Sequence, residues 1–180
     1  MLKAMLKAFT NRFERRYDYD ASYMRELIDT DPAAFFAFSG VSRMAGYRKG
    51  APREALAAAR LVATLTEDCG PCTQIVVTMA EEEGVPPAVL KAALTGDEVG
   101  MGPDAALAWR FGRASLARDM EAADPLRDEI VRRWGRKGLA AIALALASAR
   151  VFPSVKYALG FGKACSKVQV KGEAVAPRAA

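Results

Sequence analysis

Runs of alanine and leucine constrain this chain more than any other feature. Ala55-Leu56-Ala57-Ala58-Ala59 and the stretch from Leu139 to Ala147 hold strong helix formers, without the Val/Ile/Thr alternation that a half-buried strand needs. The reading is all-α. At 180 residues, just over half of them apolar, the chain suits one domain with a sizeable core and would be cramped as two. Prolines mark helix starts at Pro32, Pro52, Pro103, Pro125 and Pro153, because proline at a first helical position has φ pre-set and loses no needed N–H. Gly40, Gly84 and Gly138 supply stops, Gly138 also being compatible with the interior of a helical hairpin. This punctuation predicts about ten helices packed as hairpins in a single domain over 1–170. Residues 171–180 lack a burial pattern and read as a flexible tail.

Leu2, Met5, Leu6, Phe9 and Phe13 recur at helical spacing, so residues 1–16 are expected to form an amphipathic helix that packs on the domain or on a neighbouring subunit, ahead of the alternative of a membrane surface, since no Trp sits on the apolar face. Lys3 and Lys7 interrupt any secretory apolar run, and Leu139–Ala147 falls far short of the ~20 residues of a membrane span. A cytoplasmic protein without a membrane span is expected. The net charge of +5 is concentrated in that first helix, where Lys3, Lys7, Arg12, Arg15 and Arg16 face only Glu14. It favours solubility and is no signature of nucleic-acid binding.

Chemistry concentrates in Glu67-Asp68-Cys69-Gly70-Pro71-Cys72. Pro71 is tolerated only in the first turn of a helix, so a helix is expected to begin near Asp68, itself a good N-cap. Both cysteines then sit at a helix N-terminus, where unpaired N–H groups stabilise a thiolate by about 1 kcal/mol and raise its fraction several-fold. The i, i+3 spacing brings the two sulfurs onto one face, within reach of a reversible disulfide. Glu67 and Asp68 oppose the thiolate by repulsion, so they make sense as caps or as proton acceptors, with Glu67 the preferred base. Structural zinc would need two more ligands, yet the chain has no histidine and one further cysteine, Cys165. A bridge closing about four residues constrains little of the unfolded chain, which leaves two inert buried thiols as the plain alternative.

Other residues signal less. Cys165 lies between Lys163 and Lys167 and reads as packing before it reads as a redox thiol. Arg150 and Lys156 are candidate anion binders or ordinary solvated cations. Tyr17, Tyr19, Tyr23, Phe35 and Phe36 read as core or subunit contacts.

From Arg53 to Cys165 the order of features resembles the AhpD-like alkylhydroperoxidases of the carboxymuconolactone decarboxylase superfamily. Arg53–Leu61 is similar to the helix preceding that family's dithiol, Cys69-x-x-Cys72 to the dithiol, and Glu81-Glu82-Glu83-Gly84-Val85-Pro86-Pro87-Ala88-Val89 to the turn and short helix after it. Leu107, Trp109, Phe111, Leu116, Ala117, Arg118 and Asp119, with the helix from Gly138, fit its second half. The resemblance implies that Cys72 attacks a peroxide or disulfide and Cys69 resolves it. It also implies an external thiol or dihydrolipoyl reductant, a trimeric or hexameric homo-oligomer, and no metal or organic cofactor. Two departures stand out. The position of the family's relay histidine is Val76, and that of its upstream glutamate is Ala57, with Glu54 one turn earlier. Glu67, and after it Glu54, are the candidate replacements. The alternative from another class is a non-catalytic helical oligomer that responds to redox state or docks a partner. Lactone decarboxylation, the third possibility, uses residues not located here.

Overall fold

The computed structural model describes residues 1–162 and 168–177, and among these nine helices and one small hairpin account for the regular structure. Cys165 and its flanking Lys163 and Lys167 lie outside the described residues.

The chain opens with α1 (Leu2–Tyr17), α2 (Ser22–Thr30), α3 (Pro32–Ser39) and α4 (Val41–Ala45). Asp31 caps α3 by accepting from the Ala33 N–H at 2.9 Å, with Pro32 in the first turn, as the Asp-Pro pair foretells. Leu6, Ile28 and Phe35 form one small cluster that joins α1, α2 and α3, and Tyr19, Ala21 and Tyr23 form another. Arg25 ties α2 to α1 through Glu14 at 2.6 Å, and this hydrogen bond holds the Glu14 carboxyl below its ordinary pKa. Of the apolar face expected of α1, Leu6 is buried, while Leu2, Met5 and Phe9 are exposed.

The main core is built on α5 (Arg53–Thr66), whose residues from Ala55 to Thr64 are all buried. A helix buried on every side must have small residues where neighbours cross, and the alanines meet that need. Helices α6 (Gly70–Glu82), α7 (Pro87–Thr95), α8 (Glu98–Ala117) and α9 (Met120–Ala158) all pack against or beside it. Gly112 of α8 marks a close approach of α8 to α5 and α9, since a Cβ there would stand 2.6 Å from Val62 Cγ1 and 3.0 Å from Leu146 Cδ2.

Three expectations are corrected by this arrangement. Pro125 and Pro153 do not open helices but lie inside α9, where Pro153 is buried. Proline removes one backbone hydrogen bond, and the buried face that runs through Ala141, Ile142, Ala145, Ala149 and Lys156 holds the helix together across it. Gly138 is likewise interior to α9, and the actual break is at Gly135, in the left-handed φ region at 68°. Lastly, the C-terminal segment is not all tail: β1 (Val168–Val170) and β2 (Glu173–Val175) pair antiparallel, with Val168 opposite Val175. Val168 and Val170 are buried against α6, and the Gln74 amide pairs with the backbone of Gln169. A strand of three residues carries too short an alternation to be read from sequence. By length and composition α9 would pass for a membrane span, yet much of it belongs to the core just described.

Candidate functional site

The link between α5 and α6 is set by local chemistry. Asp68 adopts the left-handed conformation at φ 48°, which asparagine and aspartate tolerate better than most residues. Its carbonyl accepts from the Tyr157 hydroxyl at 2.9 Å. This turn shifts the cap by one residue from the expected Asp68. Cys69 is the N-cap of α6, and its Sγ accepts from the Cys72 N–H at 3.3 Å, with Pro71 in the first turn. Cys69 and Cys72 are joined as a disulfide, their Cα atoms 5.2 Å apart, within the span that a bridge requires. Both residues are buried, 3% and 2% exposed.

Their surroundings differ. Cys69 is held by the helix end, where N–H groups favour a thiolate. Cys72 forms part of the wall of a partly open cavity of about 330 Å³ between α1–α4 on one side and α5, α6 and α9 on the other. Phe13, Phe35, Phe38 and Phe152, with Ile75 and Met79, are among its apolar wall residues.

A tyrosine pair and a lysine stand beside Cys72. The Tyr19 hydroxyl lies 3.9 Å from Cys72 Sγ and donates to the Tyr23 hydroxyl at 3.4 Å. Burial raises the pKa of both phenols, so each is a neutral hydroxyl at physiological pH. Lys156 Nζ sits 5.3 Å from the centre of the Tyr19 ring, in cation–π range. The lysine is 2% exposed, and Nζ has no hydrogen-bond acceptor among the described residues. Burial lowers its pKa, with Asp20 acting in the opposite sense. At the other end of the cavity, Arg60 donates to Glu83 and to the Ala45 carbonyl, and Arg48 also pairs with Glu83, at 2.7 Å. Burial lowers the Arg60 pKa, with Glu83 opposing.

The expected bases are placed differently from one another. Glu67 caps α5, next to the dithiol in sequence, and its carboxylate is engaged by Arg150 of α9. That ion pair offsets the repulsion that Glu67 would exert on a thiolate and occupies the carboxylate as a salt-bridge partner. Glu54 is in the first turn of α5, twelve residues before Thr66, hence about 18 Å along the axis from the dithiol end, and pairs with Arg53. The structure therefore does not bring Glu54 to the sulfurs. Val76, at the position expected of a histidine, lines the apolar cavity, and Arg60 and Thr64, one and two turns beyond Ala57, line it as well. Among the described residues no three His, Cys, Asp or Glu side chains converge as a metal site.

The sequence reads Tyr19 and Tyr23 as packing and offers Lys156, with Arg150, either as an anion binder by the site or as a solvated cation; the structure instead buries Lys156 over the Tyr19 ring and sets Tyr19 and Tyr23 beside Cys72. One signal was available: Lys156 falls in register with the apolar positions Ala149, Phe152 and Pro153 of the same helix. No family model matches this chain, and neither do any of the curated proteins or solved structures searched.

Proposed function

We propose that this chain is a thiol–disulfide oxidoreductase that uses Cys69 and Cys72 as a reversible dithiol. The observation that carries this reading is the asymmetry of the pair: Cys69 Sγ is held by the N-terminus of α6, while Cys72 faces a cavity and a tyrosine hydroxyl. In the reduced protein the Cys72 thiolate attacks a substrate disulfide, R–S–S–R, forming a mixed disulfide and releasing one thiolate. Cys69, as the thiolate favoured by the helix end, then attacks Cys72 sulfur, closes the internal disulfide and releases the second thiolate. Two electrons pass to the substrate, and each released thiolate takes up a proton. With a hydroperoxide the first step gives a Cys72 sulfenic acid and an alcohol, and closure by Cys69 releases water. Turned from Tyr23 toward Cys72, 3.9 Å away, the neutral Tyr19 hydroxyl would donate its one proton to the sulfur in either route. An external thiol or dihydrolipoyl donor restores the dithiol.

Disulfide exchange ranks above peroxide reduction, because Val76 stands where a relay histidine is expected and Glu67 is occupied by Arg150. The assignment is tested by treating reduced protein with one equivalent of peroxide or of a mixed-disulfide reagent and mapping the adduct by mass spectrometry. An adduct on Cys72 that accumulates in Cys69→Ser is expected. Undiminished turnover in Cys72→Ser would refute it.

A second reading, a redox-responsive homo-oligomer without turnover, is favoured by the exposed Leu2, Met5 and Phe9 of α1, an apolar face suited to a neighbouring subunit. It requires oligomer size to change when the dithiol is oxidised, which sedimentation of the two forms decides.

A further inference from the structure

The cavity beside Cys72 has its own ligand chemistry, separable from the dithiol's. Its charged lining residues, among those described, are Arg48 and Arg60, and no acidic side chain joins them. Glu83, outside the lining, is shared by both guanidiniums, so one positive charge at this end is left unbalanced. Four lining hydroxyls, those of Thr10, Ser39, Thr64 and Ser148, each donate to a carbonyl of their own helix. The charged donors for a ligand's polar group are those of the two arginines, with the Ser42 hydroxyl beside them at the same end. Arg48 is about half exposed, and with Ser42 and Gly46, also exposed, it sets the mouth of the cavity in the α4 segment. The remaining wall is apolar and largely aromatic. At about 330 Å³ the space is roughly twice the ~150 Å³ cavity that holds benzene, so it suits about a dozen carbon atoms.

The geometry points to a binding site for a monoanionic amphiphile of medium chain length, its carboxylate-like head at Arg48 and Arg60 and its hydrocarbon body directed along the cavity toward Cys72. This assignment does not depend on turnover by the dithiol. Occupancy has one direct consequence for the site: the apolar body covers the approach to Cys72 sulfur, so a bound amphiphile slows attack on that cysteine by water-soluble reagents.

The test is calorimetric titration of the full chain with decanoate, decanol and decyltrimethylammonium, each below its micellar concentration. Decanoate should bind at one site per chain, decanol at least tenfold more weakly, and the ammonium not detectably. Arg48→Glu, at an exposed position, should weaken decanoate at least tenfold and leave decanol unchanged. Ala149→Phe, which fills the cavity, should abolish binding of both, with circular dichroism confirming its fold. If that variant does not fold, Arg48→Glu decides alone. No binding of decanoate, equal binding of all three head groups, or indifference to Arg48→Glu would each overturn the assignment. Dithiol turnover without decanoate binding removes this site and leaves the redox reading standing. Binding by a protein whose Cys72 never forms an adduct does the reverse.

Discussion

Lys156→Met separates what the fold wants from what the site wants. The lysine is buried at 2% exposure, and its ammonium has no hydrogen-bond acceptor among the described residues. Leaving a buried polar donor unsatisfied costs roughly 1–3 kcal/mol, and more when it is charged. The Tyr19 ring returns about 1 kcal/mol of that through its quadrupole. Methionine keeps the length and flexibility of the stem and removes the charge, so the variant should be more stable at pH 7 by about 1–2 kcal/mol. For a chain of this size that raises Tm by roughly 2–8 °C. The pH dependence gives an internal check. Burial sets the folded pKa of Lys156 below its value in the unfolded chain, near 10.4, so the unfolded state binds the proton more tightly. Wild-type stability therefore gains from this group as pH rises through the folded pKa toward 10.4, because the lysine sheds the charge that the fold penalises. The advantage of the methionine variant should be fully present below the folded pKa and shrink as the pH rises through that window. Thermal melts followed by circular dichroism at pH 7 and at pH 10 measure both effects. A variant less stable than wild type at pH 7, or an advantage that does not decline with pH, would refute the reasoning. Dithiol exchange by the stabilised variant should at the same time be slower, as expected where a destabilising group is retained for function.

Three further outcomes follow from particular contacts. Tyr19→Phe removes the hydroxyl 3.9 Å from Cys72 Sγ and should slow dithiol oxidation about five- to tenfold, the worth of one hydrogen bond, in stopped-flow tryptophan fluorescence. Glu83→Gln leaves the buried Arg60 guanidinium without its counter-charge and should destabilise the protein by about 3 kcal/mol in urea denaturation, whereas loss of the exposed Arg48 contact alone should cost at most about 1 kcal/mol. Gly112→Ala pits a gain of up to ~1 kcal/mol in helix propensity against overpacking on Val62 and Leu146 worth ~1–3 kcal/mol; a lower denaturation midpoint is expected, because two helices would have to move apart.

The sequence by itself determined the features that depend on neighbours along the chain. Alanine-rich periodicity required helices, Asp31-Pro32 placed the start of α3, and Pro71 forced a new helix to begin at the dithiol, which put Cys69 at its N-cap and Cys72 in its first turn. Such features depend on φ limits and on i, i+3 spacing, and those act within a few residues. Tertiary structure decided which groups surround the sulfurs. Tyr19 and Cys72, 53 residues apart, meet because α1–α3 fold over α6, and Lys156 reaches Tyr19 because α9 runs on through Pro153 instead of restarting there. Glu67 ranks ahead of Glu54 as a base on sequence, and the length and direction of α5 put Glu67 beside the dithiol and Glu54 about 18 Å away. The dithiol's position was legible because proline and glycine geometry is local. The cavity, the buried lysine and the tyrosine pair were not, because no short-range rule ties a side chain's environment to residues that only packing brings near.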